Sequence, residues 1–152
     1  MRAFVAAFLF SAGLAAACSC VQPGPSVTQA KDSSDVVFRG TIVALRDADK
    51  PAALAYAGRD TKKVVLFKVT HVWKGDVGST FEMPGLQETS MCVGFRAAFL
   101  KVGSDLLVYA ARARNSPEYY TNDCTRTAFA KDAGDDLDQL RAAEGPKKQN
   151  DR

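Results

Sequence analysis

Four cysteines are the residues of this chain whose type and spacing best suit specific chemistry: Cys18, Cys20, Cys92 and Cys124. An even number of cysteines in an exported chain indicates disulfides. A Cys18–Cys20 bridge is disfavoured, because side chains two positions apart in an extended segment are poorly placed for S–S geometry. Each of these two is therefore expected to bond one of the two distant cysteines, which leaves two pairings open. A zinc site is the rival interpretation, but C-x-C, two isolated cysteines and no nearby histidine is poor zinc-ligand spacing.

Residues 1–17 have the pattern of a secretory signal peptide. Arg2 supplies a positive start, residues 3–14 are almost continuously apolar, and Ala15-Ala16-Ala17 supplies the small residues that signal peptidase needs. This pattern predicts cleavage before Cys18 and a secreted or periplasmic protein. The apolar run is too short to span a bilayer with ease, so no transmembrane segment is expected. A buried N-terminal helix is the alternative, and the polar, proline-rich stretch that follows argues against it.

Catalytic motifs are missing from the sequence, which contains no G-x-S-x-G, no H-E-x-x-H and no glycine-rich phosphate loop. His71 is the only histidine and suits a strand surface better than a catalytic role. Asp135-Asp136 stands at a predicted helix start, where carboxylates favour the helix dipole. The formal net charge is only +3, with scattered basic residues, which argues against nucleic acid as a partner. We therefore expect neither enzymatic activity nor a cofactor of the protein's own.

The elements that must hold the cysteines are mostly strands. β-type apolar patterns predict strands over residues 35–46, 61–74, 79–83, 105–113 and 119–129, followed by a helix over 132–143. The segments between them are interpreted as an extended arm over 21–34, a hairpin loop over 47–60 with one helical turn conceivable at 52–57, and a loop over 86–104.

Five strands, a long first hairpin and a terminal helix predict an all-β five-stranded barrel of the OB-fold type. It would form one domain over residues 18–145, with a polar tail over 146–152. A shift of the apolar positions from odd to even predicts a β-bulge near Thr70. The residues expected to face into the barrel are Phe38, Ile42, Phe67, Val69, Leu106 and Val108.

Several segments of the mature chain resemble the tissue inhibitors of metalloproteinases. The matching segments are Cys18-Ser19-Cys20, Pro25, Asp35-Val36-Val37, Val65-x-Phe67-x-Val69 with Val72-Trp73-Lys74-Gly75, Ser90-x-Cys92, and Leu107-Val108-Tyr109-Ala110 before Cys124. The similarity covers nearly the whole mature chain at low identity, and its most specific part is the Cys-x-Cys start. It implies a netrin-like OB barrel in a short, single-domain form, with disulfides Cys18–Cys92 and Cys20–Cys124. The family's third barrel disulfide has no counterpart here, since no cysteine lies between Cys20 and Cys92.

The resemblance also implies a function: a secreted, monomeric inhibitor of zinc metalloendopeptidases. In the family, the α-amino nitrogen and carbonyl oxygen of the first cysteine chelate the catalytic zinc of the protease, and here that residue is Cys18. Ser19 would enter the specificity pocket of the protease, and the loop over 47–60 would flank the contact. The implied protease-binding residues are Cys18, Ser19, Cys20, Val21, Ser90, Met91 and Cys92.

Two other functions remain open from the sequence. A netrin-like module with these bridges can bind another protein or a polysaccharide without inhibiting a protease. An envelope lipoprotein is the other alternative, because Ala15-Ala16-Ala17-Cys18 loosely resembles a lipobox, although Leu14 stands one place too early. Lipidation would block both the amine and the thiol of Cys18.

Overall fold

The computed structural model describes residues 20–54, 59–85, 92–112 and 117–145, and in the first hairpin it describes side chains as far as Asp47 and again from Lys63. The elements in chain order are α1 (Val27–Ser33), β1 (Val36–Leu54), β2 (Arg59–Lys74), β3 (Thr80–Pro84), β4 (Asp105–Arg112), β5 (Tyr119–Tyr120), β6 (Ala128–Phe129) and α2 (Gly134–Glu144), with 3-10 turns at Ala97–Phe99 and Ala130–Asp132. Within these ranges, no helix has the length and apolar character needed to cross a membrane.

The strands form a nearly closed antiparallel barrel. Their order is β3-β2-β1-β4-β5, and the short β6 also pairs with β4. The gap between β3 and β5 is covered by the rings of Phe81 and Tyr119, whose centroids lie 5.4 Å apart. Together with α2, this arrangement confirms the predicted fold, a five-stranded barrel followed by a C-terminal helix.

The predicted bulge near Thr70 is confirmed by the register of β1 against β2. Arg39 pairs with His71 and Gly40 pairs with Val69, so Thr70 is the extra residue. A side chain at Gly40 would place its Cβ 3.1 Å from the carbonyl oxygen of Lys68. The strands therefore approach each other closely at the bend, which explains a glycine in the middle of an apolar strand.

The barrel interior is a core of aromatic and branched aliphatic side chains. Phe67 lies at its centre, with its ring 5.3 Å from that of Phe38 and 5.7 Å from that of Phe95. Five of the six residues predicted to face inward are buried, and Val69 is partly buried against the same core. The buried members of this core are Val36, Phe38, Ile42, Val65, Phe67, Met83, Phe95, Phe99, Leu106, Val108 and Ala110.

A second apolar cluster lies outside the barrel, between its wall and the two helices. Val37, Leu107 and Tyr109 alternate with the inward-facing residues of β1 and β4, and both helices pack against them. From α2 come Leu137 and Leu140. The predicted helix over 132–143 is therefore confirmed with shifted ends, since α2 begins at Gly134 and ends at Glu144.

The prediction of an extended arm over residues 21–34 is wrong for its second half, where α1 forms. Ser26 caps this helix by accepting the N–H of Gln29, and the Gln29 side chain accepts the N–H of Ser26 in return. This reciprocal pair is a capping box. The spacing Ser-x-x-Gln is visible in the sequence, and the prolines just before it masked the signal.

Two further boundaries differ from the sequence prediction. The loop expected over 47–60 is largely paired strand, because β1 continues to Leu54 and β2 begins at Arg59; residues 55–58 lie outside the described part. The single strand expected over 119–129 is two short strands, β5 and β6, separated by a turn-rich stretch. Hydroxyl groups in that stretch form hydrogen bonds that replace ladder pairing.

Candidate functional site

Of the residues implied to bind a protease, the structure describes Cys20, Val21 and Cys92. The other four, which are Cys18, Ser19, Ser90 and Met91, lie outside the described residues. We refer to the two segments that carry all seven, residues 18–21 and 90–92, as the ridge. The described part shows what holds each half of this ridge in place.

The first half of the ridge is anchored by a disulfide between Cys20 and Cys124, with their Cα atoms 5.3 Å apart. This confirms one of the two predicted bridges. Val21, directly after Cys20, is 85% exposed, so an apolar side chain stands in solvent beside the anchor. Cys92 is also disulfide-bonded, and its pairing with Cys18 stays a prediction.

The second half of the ridge is anchored by backbone hydrogen bonds to the segment that carries Cys124. Val93 forms an antiparallel bridge with Asn122. The N–H of Gly94 donates to the carbonyl oxygen of Thr121 at 2.8 Å, and the N–H of Asp123 donates to the carbonyl oxygen of Cys92 at 2.9 Å. Residues 121–124 therefore hold both Cys20 and Cys92, the described cysteines of the two halves of the ridge.

Cys92 itself has an unusual backbone conformation. Its φ of 56° is in the left-handed region, and it is the only non-glycine residue with positive φ in the described ranges. Such conformations persist where the surroundings impose them, and they are common at functional sites. Here the conformation belongs to a residue whose carbonyl oxygen is also held by the N–H of Asp123.

A cluster of threonine hydroxyls fixes the anchoring segment to the barrel. Thr121 lies 2.8 Å from both Thr125 and Thr127, measured between Oγ1 atoms. Thr127 accepts the backbone N–H of Tyr109 at 2.9 Å and donates to the Tyr109 carbonyl at 3.2 Å. Thr121 and Thr127 are buried. Because buried hydroxyls need partners, this cluster specifies the fold of the connection between β5 and β6.

An ion pair below this segment joins it to α2 and to the arm. Arg126 donates through Nε to Asp136 Oδ2 at 2.7 Å, through Nη2 to Asp136 Oδ1, and through Nη1 to the carbonyl oxygen of Pro25 at 2.9 Å. Asp136 is 5% exposed and also accepts the hydroxyl of Tyr109 at 3.0 Å. The hydrogen bond to Asp136 raises the pKa of Arg126. Burial, together with the charge of Asp136, raises the pKa of Tyr109 above its ordinary value.

The sequence prediction missed this ion pair. It correctly placed Asp135 and Asp136 in the first turn of α2, but it assigned them only a helix-dipole role. No local motif links Arg126 to a residue ten positions later. The pairing depends on the chain reversal between β6 and α2, so only the three-dimensional structure could identify it.

An open cleft of about 400 Å³ lies beside the Cys20–Cys124 bridge. At its rim, Arg96 donates through Nε to Asp123 Oδ1 at 3.1 Å and through Nη2 to the Asp123 carbonyl at 3.2 Å. Arg96 is more exposed than Asp123, so the guanidinium faces outward next to the ridge. The cleft thus offers a neighbouring macromolecule both charge and open space.

His71, the one histidine of the sequence, has a structural role. His71 lies partly exposed on β2, with Nε2 2.9 Å from Glu144 Oε1 and its ring 4.3 Å from that of Trp73. These contacts tie β2 to the end of α2, in line with the predicted strand-surface position. Among the described residues, no three His, Cys, Asp or Glu side chains are grouped as metal ligands would be.

No family model matches the chain, and no curated protein matches it either. The proposed function therefore rests on the cysteine pattern and on the geometry around it.

Proposed function

We propose that this chain is an exported inhibitor of zinc metalloendopeptidases, of the kind its segments resemble, and that Cys18 coordinates the zinc of the target. Removal of residues 1–17 would make Cys18 the first residue and give it a free α-amino group. A disulfide is typical of proteins outside the cytoplasm, and the Cys20–Cys124 bridge is compatible with that location.

The observation that carries the proposal is the shared anchor of the ridge. Residues 121–124 hold Cys20 through the disulfide and Cys92 through the Asp123 N–H. Two chain segments about 70 residues apart are thereby fixed side by side. An inhibitor that must present its N-terminus to a metal needs this property, because a pre-ordered segment loses little conformational entropy on binding.

The chemistry of the proposed contact follows from the nature of a catalytic zinc site. Such a zinc keeps one coordination position open for water. The α-amino nitrogen and carbonyl oxygen of Cys18 would displace that water and block hydrolysis. Only a neutral amine has a lone pair to donate, and an α-amino group has a reference pKa of about 7.7–8.0. Binding should therefore release a proton and weaken as the pH falls.

The remaining residues of the ridge would contact protein rather than metal. Ser19 would enter the pocket beside the zinc, and Val21 is exposed enough to pack against a partner. Ser90 and Met91 would form the second contact strip next to Cys92. Methionine is among the residues enriched at protein interfaces, which suits Met91 for this contact.

A non-inhibitory binding module is the second candidate, and a separate hollow of about 400 Å³ on the barrel wall favours it. Arg39, Asp105 and Trp73 line this hollow, and none of them belongs to the ridge. The indole Nε1 of Trp73 is buried without a hydrogen-bond partner. A ligand bound in this hollow would contact residues that the proposed inhibition of a zinc protease does not involve.

A protease panel separates the two candidates. The mature protein, produced by export and with its intact mass verified, is titrated against several zinc endopeptidases and against serine endopeptidases as controls. The proposal expects tight inhibition of at least one zinc enzyme and none of the serine enzymes. Inhibition of no panel member would remove the inhibitor proposal and leave the binding module.

A further inference from the structure

We infer that the barrel wall carries a groove for a neutral oligosaccharide, made of two adjacent hollows that share the Arg39–Asp105 ion pair. The inference goes beyond the proposed function, because none of the described residues that line the groove belongs to the ridge. It is expected to hold whether or not the protein inhibits a protease.

The two hollows lie side by side and have two lining residues in common. The first, of about 400 Å³, extends from Arg39 and Asp105 toward Trp73. The second, of about 380 Å³, extends from the same ion pair toward Phe129. Each volume falls within the range of about 300–1,000 Å³ that is typical of ligand sites. Because the ion pair borders both hollows, one extended ligand can fill them with successive units.

The shared ion pair is a preformed hydrogen-bonding group between two strands. Arg39 in β1 donates through Nε to Asp105 Oδ1 at 3.2 Å and through Nη2 to Asp105 Oδ2 at 2.6 Å, and each side chain is 36% exposed. This contact does not involve Nη1, so that nitrogen can donate to a ligand. Since the two charges compensate each other, the pair offers directional hydrogen bonds without a net charge. Such groups suit the hydroxyls of a neutral sugar.

The first hollow adds hydroxyl groups and aromatic rings to this pair. Thr41 and Thr70 both line it. Thr70 donates its hydroxyl to the carbonyl oxygen of Arg39 at 3.2 Å, so the hydroxyl oxygen can still accept. The rings of His71 and Trp73, 4.3 Å apart, belong to the same lining. Aromatic faces carry partial negative charge, and they therefore attract the partly positive C–H groups on the face of a sugar ring.

The second hollow repeats the combination of a ring and a hydroxyl. Phe129 supplies the ring and Ser104 the hydroxyl. The ring is fixed edge-on by Phe99, with centroids 4.9 Å apart. Lys131 Nζ lies over the ring, 5.6 Å from its centroid, on an exposed side chain that a ligand can displace. A ring and a hydroxyl on each side of one ion pair match the repeating units of a sugar chain.

The charges around the groove favour a neutral ligand over an acidic one. Arg141 pairs with Asp138 at 3.1 Å, and His71 lies 2.9 Å from Glu144, so these groups are matched by carboxylates as Arg39 is. Lys131 rests on a ring instead. An acidic polymer is attracted by a field that many like charges produce together, and the lining does not supply such a field.

An NMR titration of the mature protein tests the inference. The neutral probes are cellohexaose, maltohexaose and chitohexaose, and the control probes are oligogalacturonate and a capped tyrosine–serine peptide. Trp73 is the only tryptophan of the chain, so its indole cross-peak reports on the first hollow, and the backbone cross-peak of Ala130 reports on the second. We expect at least one neutral hexaose to shift both signals with saturation. Its dissociation constant should lie below about 1 mM and be the same at about 0.05 M and about 0.5 M salt.

Two groove variants and a matched control locate the binding. Arg39→Lys keeps a counter-ion for Asp105 but loses the planar guanidinium, so the dissociation constant should rise about tenfold or more. Thr41→Val removes one hydroxyl at a strand position that suits valine, and the constant should rise about threefold or more. Arg46→Lys is the control, because Arg46 also pairs with a carboxylate, that of Glu82, outside the groove. It should bind as the parent does.

Each outcome decides the inference. Saturable shifts in both hollows, weakened by the two groove variants and not by the control, support it. Shifts in only one hollow, unchanged affinity in either groove variant, equal weakening in the control, or no response to any neutral hexaose overturns it. A response to oligogalacturonate alone that disappears at high salt, or to the peptide alone, also overturns it and assigns a different ligand. Protease inhibition is measured separately, so failure of the proposed function and failure of this inference are distinguishable.

Discussion

Asp123 donates its backbone N–H to the carbonyl oxygen of Cys92 at 2.9 Å. The next residue, Cys124, forms the disulfide with Cys20. This hydrogen bond and this disulfide meet in a single short segment, residues 121–124. Any change that moves this segment moves both described halves of the ridge together. The segment is in turn fixed by buried hydroxyls and by the Arg126–Asp136 ion pair, so the anchor of Cys20 and Cys92 depends on the packing of the C-terminal part.

Removal of the bridge should be costly for stability. The double variant Cys20→Ser, Cys124→Ser opens a loop with a sequence separation of 104 residues. For a loop of that length, the chain-entropy model gives a loss of about 4–5 kcal/mol in the free energy of unfolding. Urea unfolding of parent and variant measures the difference. A loss below about 1 kcal/mol would contradict the stabilising role assigned to this bridge.

The barrel core can be tested at Phe67, which is fully buried. Phe67→Ala removes a ring packed against Phe38 and Phe95 and should lower the free energy of unfolding by about 3–5 kcal/mol. Val102→Ala is the matched control, because Val102 is 57% exposed and a change there should stay within about 0.5 kcal/mol. Similar losses in the two variants would mean that the assigned core is incorrect.

The buried hydroxyl of Tyr109 should make stability depend on pH in the alkaline range. Its pKa is raised above the ordinary value of about 10 by burial and by Asp136. Above pH 10 the unfolded chain releases this proton while the folded protein retains it. The stabilisation from this group is therefore complete below pH 10 and is lost as the pH rises further, with a slope of up to about 1.4 kcal/mol per pH unit.

Tyr109→Phe isolates this effect from the titration of the lysines, which both proteins share. Urea unfolding at several pH values between 9 and 12 should show a shallower decline for the variant than for the parent. Parallel curves would show that Tyr109 keeps an ordinary pKa in the folded state.

Regular apolar patterns explain why much of the fold could be predicted from the sequence. The alternation of Val65, Phe67 and Val69 in β2 indicated the buried face, and the slip around Thr70 indicated the bulge before any register was known. These signals are local, because successive side chains of a strand point to opposite faces of the sheet. The Cys20–Cys124 pairing could not be predicted from such local signals, since only the family resemblance favoured it over a Cys20–Cys92 pairing.

The features that could not be predicted depend on contacts between distant segments or on competing local signals. Pro23 and Pro25 argued for an extended arm, although the capping box at Ser26 starts a helix directly after them. The β5–β6 region contains strand-forming residues, yet Thr121 and its neighbours bond one another instead of a partner strand. Asp136 is charged and stands in a short helix, so only its burial reveals that it organises the site.

The position of the Cys18 amine is the central claim, and one comparison tests it most directly. A mature protein with a single extra alanine before Cys18 keeps every residue of the barrel but moves the α-amine away from the metal. Inhibition of a sensitive zinc endopeptidase should weaken by at least about a hundredfold, equivalent to about 2.8 kcal/mol of binding free energy, because the zinc loses its ligand, while the melting temperature stays within a degree or two of the parent. Equal inhibition by the extended and parent proteins would contradict the account, because inhibition would then act through a surface other than Cys18.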